Sequence, residues 1–161
     1  MTFINCWCLG ENESYAMWQI YAAKNEGVAI QSTIEGLRNS FTDKAIDIDI
    51  SKVKYLDFRS RDGINKDKQF NFTENQKNDL LNNFYACKSK EYEFEKEVRA
   101  IYRNDKVEDY KELSVELSTL IQKVYINPFA EKWFINLVAE ILERYGVNGK
   151  AVIPSNIEIQ K

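Results

Sequence analysis

Histidine is absent from all 161 residues. That absence removes Ser-His-Asp and Cys-His catalysis, every histidine-ligated zinc site, the zinc-deaminase signature and the usual general base of neutral pH. Cysteine is scarce: three thiols are too few for a disulfide scaffold and cannot build a four-thiolate zinc site within one chain. The six glycines form no G-x-G arrangement, so neither a Walker loop nor a dinucleotide fingerprint is present. Apolar runs extend over only a few residues, well short of a membrane span, and no basic stretch precedes an apolar one at the N-terminus. An excess of one charge is missing too. The 22 Lys and Arg are scattered among 25 Asp and Glu, so no global field gathers a polyanion and nucleic-acid binding is not indicated. Together these absences describe a cytoplasmic protein with no membrane partner.

What is present is globular. The apolar share is 44%, the charged share 29% and the aromatic share 13%, values that support one hydrophobic core and a single domain over residues 1–161. "TFINCWC" reads as a strand, with Cys6 and Cys8 on one face about 6.6 Å apart. That is near the limit for a bridge, so Cys6, Cys8 and Cys87 read as reduced, small core residues. Asn12 or Ser14 caps a helix over "SYAMWQIYAA", and Gly27 is expected as a left-handed stop after it. "VAIQST" is a short strand, after which Thr33 caps the helix "IEGLRNSF". "AIDIDI" and "KVKYLDF" alternate at period two, as neighbouring antiparallel strands or one long bent strand do.

The segment 59–72, which carries the basic run Arg59 to Lys68, is expected as a surface loop. Thr73 and Gln76 then form a capping box ahead of a helix through "TENQKNDLLNNFYACKSK". Farther on, "KELSVEL" and "KVYINP" read as strands around a short helical "STLIQ". Pro128 then opens a long amphipathic C-terminal helix, with Trp133, Phe134, Leu137, Val138, Ile141, Leu142 and Tyr145 in one stripe and Gly146 as its stop. "KAVIPS" and "IEIQ" supply a last strand or two. The irregular alternation implies an α+β fold: a single mixed, largely antiparallel sheet covered by helices.

One stretch stands out. "SKEYEFEKEVRAIY" places Glu91, Glu93, Glu95, Glu97 and Arg99 at every second position. A strand from about residue 94 to 103, with helix possible up to Glu93, puts the acids and Arg99 on one face. Tyr92, Phe94, Val98 and Ala100 fall on the other, and Lys96 is the only misfit. Facing water, such a row costs little. Covered, it requires a function or a buried partner, because like charges under low dielectric oppose one another's ionisation.

Three segments, "CWCLGENESYAMWQIYAAKNEGVAIQST", "EYEFEKEVRAIY" and "VYINPFAEKWFINLVAEILERYG", resemble the bacterial family catalogued as domain of unknown function 2971. The shared signals are a Cys-aromatic strand, a Met-Trp-x-x-Tyr helix, a Gly before a short strand, and a Glu-x-Glu segment ending in Arg. They fall here on Cys6, Trp7, Met17, Trp18, Tyr21, Gly27, Glu95, Glu97 and Arg99, and the resemblance runs over nearly the whole chain. Family members usually carry a further N-terminal segment, so the resemblance implies a truncated, split or non-catalytic member of bacterial or phage origin, with a toxin or defence setting.

The Glu-x-Glu pair is also similar to that of ADP-ribosyltransferases, which need neither a histidine base nor a glycine-rich phosphate loop. That similarity implies Glu97 as the catalytic acid, Glu95 orienting the acceptor, Arg99 beside them, and Trp18 or Tyr21 stacking on nicotinamide. NAD would be a substrate, and no metal is expected. Two alternatives stay open. One is a non-catalytic module that docks a protein partner through its acidic face and aromatic helix. The other is a metal-dependent nuclease using Asp47, Asp49, Asp57 or the acid-x-lysine pair of Asp109 and Lys111.

Overall fold

The computed structural model describes residues 1–22, 25–57, 75, 83–147, 149 and 151–157. The chain divides into two compact units, Met1–Gly10 with Ile46–Lys111, and Glu11–Ala45 with Glu112–Lys161. The α+β class, the mixed and largely antiparallel pairing and the C-terminal helix are as the sequence implies. Among the described residues the strands are distributed over three sheets. No helix among those residues is long and apolar enough to cross a membrane.

In the first unit β6 (Glu97–Arg103) lies between β1 (Thr2–Cys8) and β3 (Ile48–Lys52), antiparallel to both. Alternation in "EVRAIY" sends Val98 and Ala100 to one face and Ile101 to the other, and all three are buried, as suits a central strand. β4 (Lys54–Leu56) pairs parallel with β5 (Cys87–Ser89). β3 and β4 are therefore not antiparallel neighbours: only Val53 separates them, and each pairs with a different partner. A 3₁₀ turn at Phe84–Ala86 leads into β5, so "CKS" is strand and not the end of a helix. The expected surface loop 59–72 and most of the helix begun by Thr73 and Gln76 lie outside the described residues.

In the second unit Ser14 caps α1 (Tyr15–Tyr21) through its hydroxyl, and Thr33 caps α2 (Ile34–Ser40) by accepting the Gly36 N–H at 2.9 Å. β7 (Lys123–Ile126) lies between antiparallel β2 (Val28–Gln31) and parallel β8 (Ala151–Pro154). "KELSVEL" is not a strand: Val115 makes one isolated bridge to Phe41, and Leu117 begins the one-turn helix α3 (Leu117–Leu120). The C-terminal helix α4 (Lys132–Arg144) starts later than Pro128, because Pro128 sits in a turn where the Asn127 side chain accepts the Phe129 N–H at 2.9 Å. Its Val138 is buried with Ile121, Val124, Ile126 and Val147, and Phe134, Ile135 and Leu142 pack around them.

Two glycines differ in kind. Gly146 takes a φ of 72° and ends α4 as expected. Gly27 is not left-handed: a Cβ there would stand 2.3 Å from the Ala22 Cβ, so close approach of the chain is what requires glycine.

Candidate functional site

The acidic stretch does not run as one strand from residue 94. Lys90–Glu95 forms a 3₁₀ segment, Lys96 takes a left-handed conformation with φ 46°, and only then does β6 begin at Glu97. Lys96, the residue that breaks the alternation, is where the chain turns, and its carbonyl is fixed by the Leu9 N–H at 2.8 Å. A lysine in this conformation costs about 1–2 kcal/mol. The turn has a consequence for the glutamates on either side of it: Glu95 and Glu97 both direct their carboxylates to one cation.

That cation is Lys88 of β5. Its ammonium donates to Glu95 Oε2 and to Glu97 Oε1, the second at 2.6 Å. The second Glu97 oxygen accepts from Arg99 Nε at 2.7 Å, and Arg99 also donates to the Tyr85 carbonyl at 2.7 Å. The Tyr92 ring lies with its centroid 4.6 Å from the Lys88 ammonium, within cation–π range. Tyr55 Oη accepts the Glu97 backbone N–H at 2.7 Å. Glu95 is 4% exposed and Glu97 7%, so these two acids of the row are covered while Glu91 and Glu93 are exposed, and half-buried Lys88 is their cationic partner.

These contacts set the protonation states. Burial pushes the Glu97 carboxyl up, but hydrogen bonds with Arg99, Glu95 and Lys88 outweigh it and hold it at about 2. Burial likewise disfavours the Lys88 ammonium, yet its hydrogen bonds to Glu95 and Glu97 leave it above the ordinary lysine value. The site is thus a charged lattice with an ionised Glu97 at its centre, and breaking such a lattice from one side leaves an uncompensated buried charge.

The cysteines of β1 border it. Cys6 stands opposite Arg99 and Cys8 opposite Glu97, on the same face, and both are exposed, not core residues. The expectation of core residues fails here because β1 is an edge strand of its three-stranded sheet. Burial raises both thiols, and the negative charge of Glu97 adds to the effect, so they are poor nucleophiles. Cys87 is half-buried, and its thiol donates to the Asn83 carbonyl at 3.5 Å.

Of the residues singled out by sequence, Glu95, Glu97 and Arg99 come together. Trp18 and Tyr21 belong to the other unit. Trp18 is 5% exposed and its indole N–H donates to Glu13 Oε1 at 3.0 Å, whereas Tyr21 is exposed. Lys88 and Tyr55 were missed. Lys88 precedes the acids in "CKSKEYEFEKE", two residues before Lys90, the lysine next to them, so no local signal singles it out, and Tyr55 reaches the site only through the β4–β5 pairing. Among the described residues, Asp47, Asp49 and Asp57 do not join any group of three or more Cys, Asp or Glu placed to hold a metal ion.

A family model described as "Protein of unknown function (DUF2971)" matches residues 17–100, just over half of the chain. The match takes in the Met17 to Tyr21 helix, Gly27, Lys88 and the Glu95 to Arg99 segment, while Cys6, Trp7 and the C-terminal helix lie beyond it. No curated protein and no solved structure matches the chain.

Proposed function

For a chain that belongs to this bacterial family of unknown function, we propose an NAD-directed, ADP-ribosyltransferase-like activity centred on Glu95, Glu97 and Arg99. One observation carries the reading: Glu97 is held ionised beneath Lys88 and Arg99, next to a second carboxylate two residues away. In such a reaction the bond between the ribose anomeric carbon and the nicotinamide nitrogen breaks, and its electron pair leaves with nicotinamide. Positive charge develops on the ribose. An acceptor then forms the new bond and loses its proton.

A fixed anion is the group that favours this charge. Glu95 would orient the acceptor, and Arg99 keeps Glu97 in place through its second anchor on the Tyr85 carbonyl. The experiment is NAD consumption by the purified protein beside Glu97→Gln, with thermal stability recorded for both. Loss of fixed charge should lower turnover on the order of 100-fold or more in a folded variant. Equal turnover in the two proteins, or none in either, overturns the reading.

A second reading, a non-catalytic protein-binding module, is favoured by the outer side of α4, where Trp133, Leu137 and Ile141 are 49%, 41% and 43% exposed. It predicts altered association and no turnover. The nuclease reading lacks an assembled ligand set among the described residues and is not carried further.

A further inference from the structure

β1 has a free side. Leu9 donates its N–H to the Lys96 carbonyl at 2.8 Å and Asn104 donates to the Met1 carbonyl at 3.0 Å, so the odd-numbered residues of β1 turn their backbone groups toward β6. The N–H and C=O groups of Thr2, Ile4, Cys6 and Cys8 point the other way. Among the described residues no strand pairs with that side, and Ile4, Asn5, Cys6 and Cys8 are exposed. Proteins protect such edges with charge, with proline or by keeping the strand very short. β3 carries Asp49 and Lys52, β8 ends in Pro154, and β2, β4 and β5 have no more than four residues each. β1 has seven residues, none charged and none proline.

Its residue order is nearly the same in both directions. In "TFINCWC" Asn5 is central, Ile4 and Cys6 stand beside it, the rings of Phe3 and Trp7 come next, and Thr2 and Cys8 are at the ends. A second β1 laid antiparallel about Asn5 therefore opposes like with like. Thr2 faces the second copy's Cys8 and Ile4 its Cys6, and the outward N–H and C=O groups of these four residues bond one another across the seam. Phe3 faces Trp7 twice, giving aromatic cross-strand pairs on the side of the sheet where both rings are half-buried. Asn5 faces itself on the twofold axis. No charge of β1 meets another, and a slip by one residue would set groups already bonded to β6 against the free ones. A strand of another protein would need this same order, whereas a second copy supplies it by symmetry.

We propose that two copies of the chain pair through β1, antiparallel and centred on Asn5, joining their three-stranded sheets into one continuous sheet. Seven residues at about 3.4 Å each make a contact roughly 24 Å long. That is small for a protein interface, so the dimer should dissociate on dilution. The pairing uses neither Glu95 nor Lys88 and is independent of any NAD chemistry.

Sedimentation of the wild-type chain from micromolar to near-millimolar concentration should show a mass rising from monomer toward dimer. Asn5→Lys, at an exposed position, sets two ammonium groups face to face across the axis and should weaken association at least tenfold. In a chain carrying Cys6→Ser and Cys8→Ser, Asn5→Cys places a thiol opposite its own copy at a non-hydrogen-bonded pair, where Cα atoms stand about 4.5 Å apart, within disulfide reach. Mild oxidation should trap a covalent dimer, and Val107→Cys in the same background, at a position 88% exposed in the same unit, should give none. A mass that stays monomeric at every concentration overturns the proposal. So does a dimer that Asn5→Lys leaves intact or that Asn5→Cys does not trap, since its contact then lies elsewhere, as on the outer side of α4. Should Asn5→Lys fail to fold, the wild-type mass and the disulfide decide.

Discussion

Tyr55 Oη accepts the backbone N–H of Glu97 at 2.7 Å, so a phenol on β4 satisfies the first residue of β6 from 42 positions away. The contact fixes where the central strand begins, and with it the direction in which the Glu97 carboxylate leaves the backbone. Replacing Tyr55 by Phe keeps the ring and deletes the acceptor. A buried N–H without a partner costs about 1–3 kcal/mol, and the low end applies because Tyr55 is half-buried and water has partial access. Urea unfolding should show a lower midpoint with an unchanged slope. An unchanged midpoint would mean that another group takes the N–H.

The pH dependence of stability should carry the signature of Glu97. Its carboxyl is held at about 2 in the folded chain, below the ordinary 4.5, so folding favours the ionised form. The stabilisation is complete above the unfolded value and is lost as pH falls through the folded one. Wild type should exceed Glu97→Gln by roughly 2–3 kcal/mol from about pH 5 to neutrality. Between pH 4.5 and 2 the gap should close. Denaturant midpoints of both proteins across this range provide the check, and a gap independent of pH would assign the difference to packing and not to charge.

The sequence disclosed the site better than it disclosed the sheets. Alternation from Glu91 to Arg99 marks acids that a strand or a tight turn can gather, and it correctly gathers Glu95, Glu97 and Arg99. It is silent on whether the face is wet, because coverage comes from β5 and β4, and their parallel pairing joins segments far apart in the chain. Local signals did well where the cause is local: Ser14 and Thr33 cap their helices, and Gly146 ends α4. They failed at Gly27, where the reason for glycine is a neighbour in space, and at "KELSVEL", where period-two alternation meets only one bridging partner.

Gly27 gives a test of that distinction. Asn127 holds Ala22 and Gly27 together: its side chain donates to the Ala22 carbonyl at 2.8 Å and its N–H donates to the Gly27 carbonyl at 3.0 Å. A methyl group at residue 27 would overlap Ala22 and push the two residues apart on Asn127, at about 1–3 kcal/mol for an overpacked site. Gly146→Ala meets no atom within 4 Å and suffers only its left-handed backbone, roughly 1 kcal/mol. In double mutants with Asn127→Ala, the first substitution should be non-additive and the second additive. Additivity for both would detach Gly27 from Asn127.

The stripe on α4 divides into two sides with different consequences. Val138 is 8% exposed within the core of its unit, whereas Leu137, one residue before it, is 41% exposed. Val138→Ala opens a cavity among Ile121, Val124, Ile126 and Val147 and should cost about 2 kcal/mol. Leu137→Ala removes side chain already in water and replaces it with the best helix former, so its effect should stay within about 0.5 kcal/mol. Thermal unfolding at two protein concentrations distinguishes the cases. If Leu137→Ala proves as costly as Val138→Ala, and the more so in concentrated solution, the outer side of α4 is buried by another copy of the chain, and the binding-module reading gains the surface it needs.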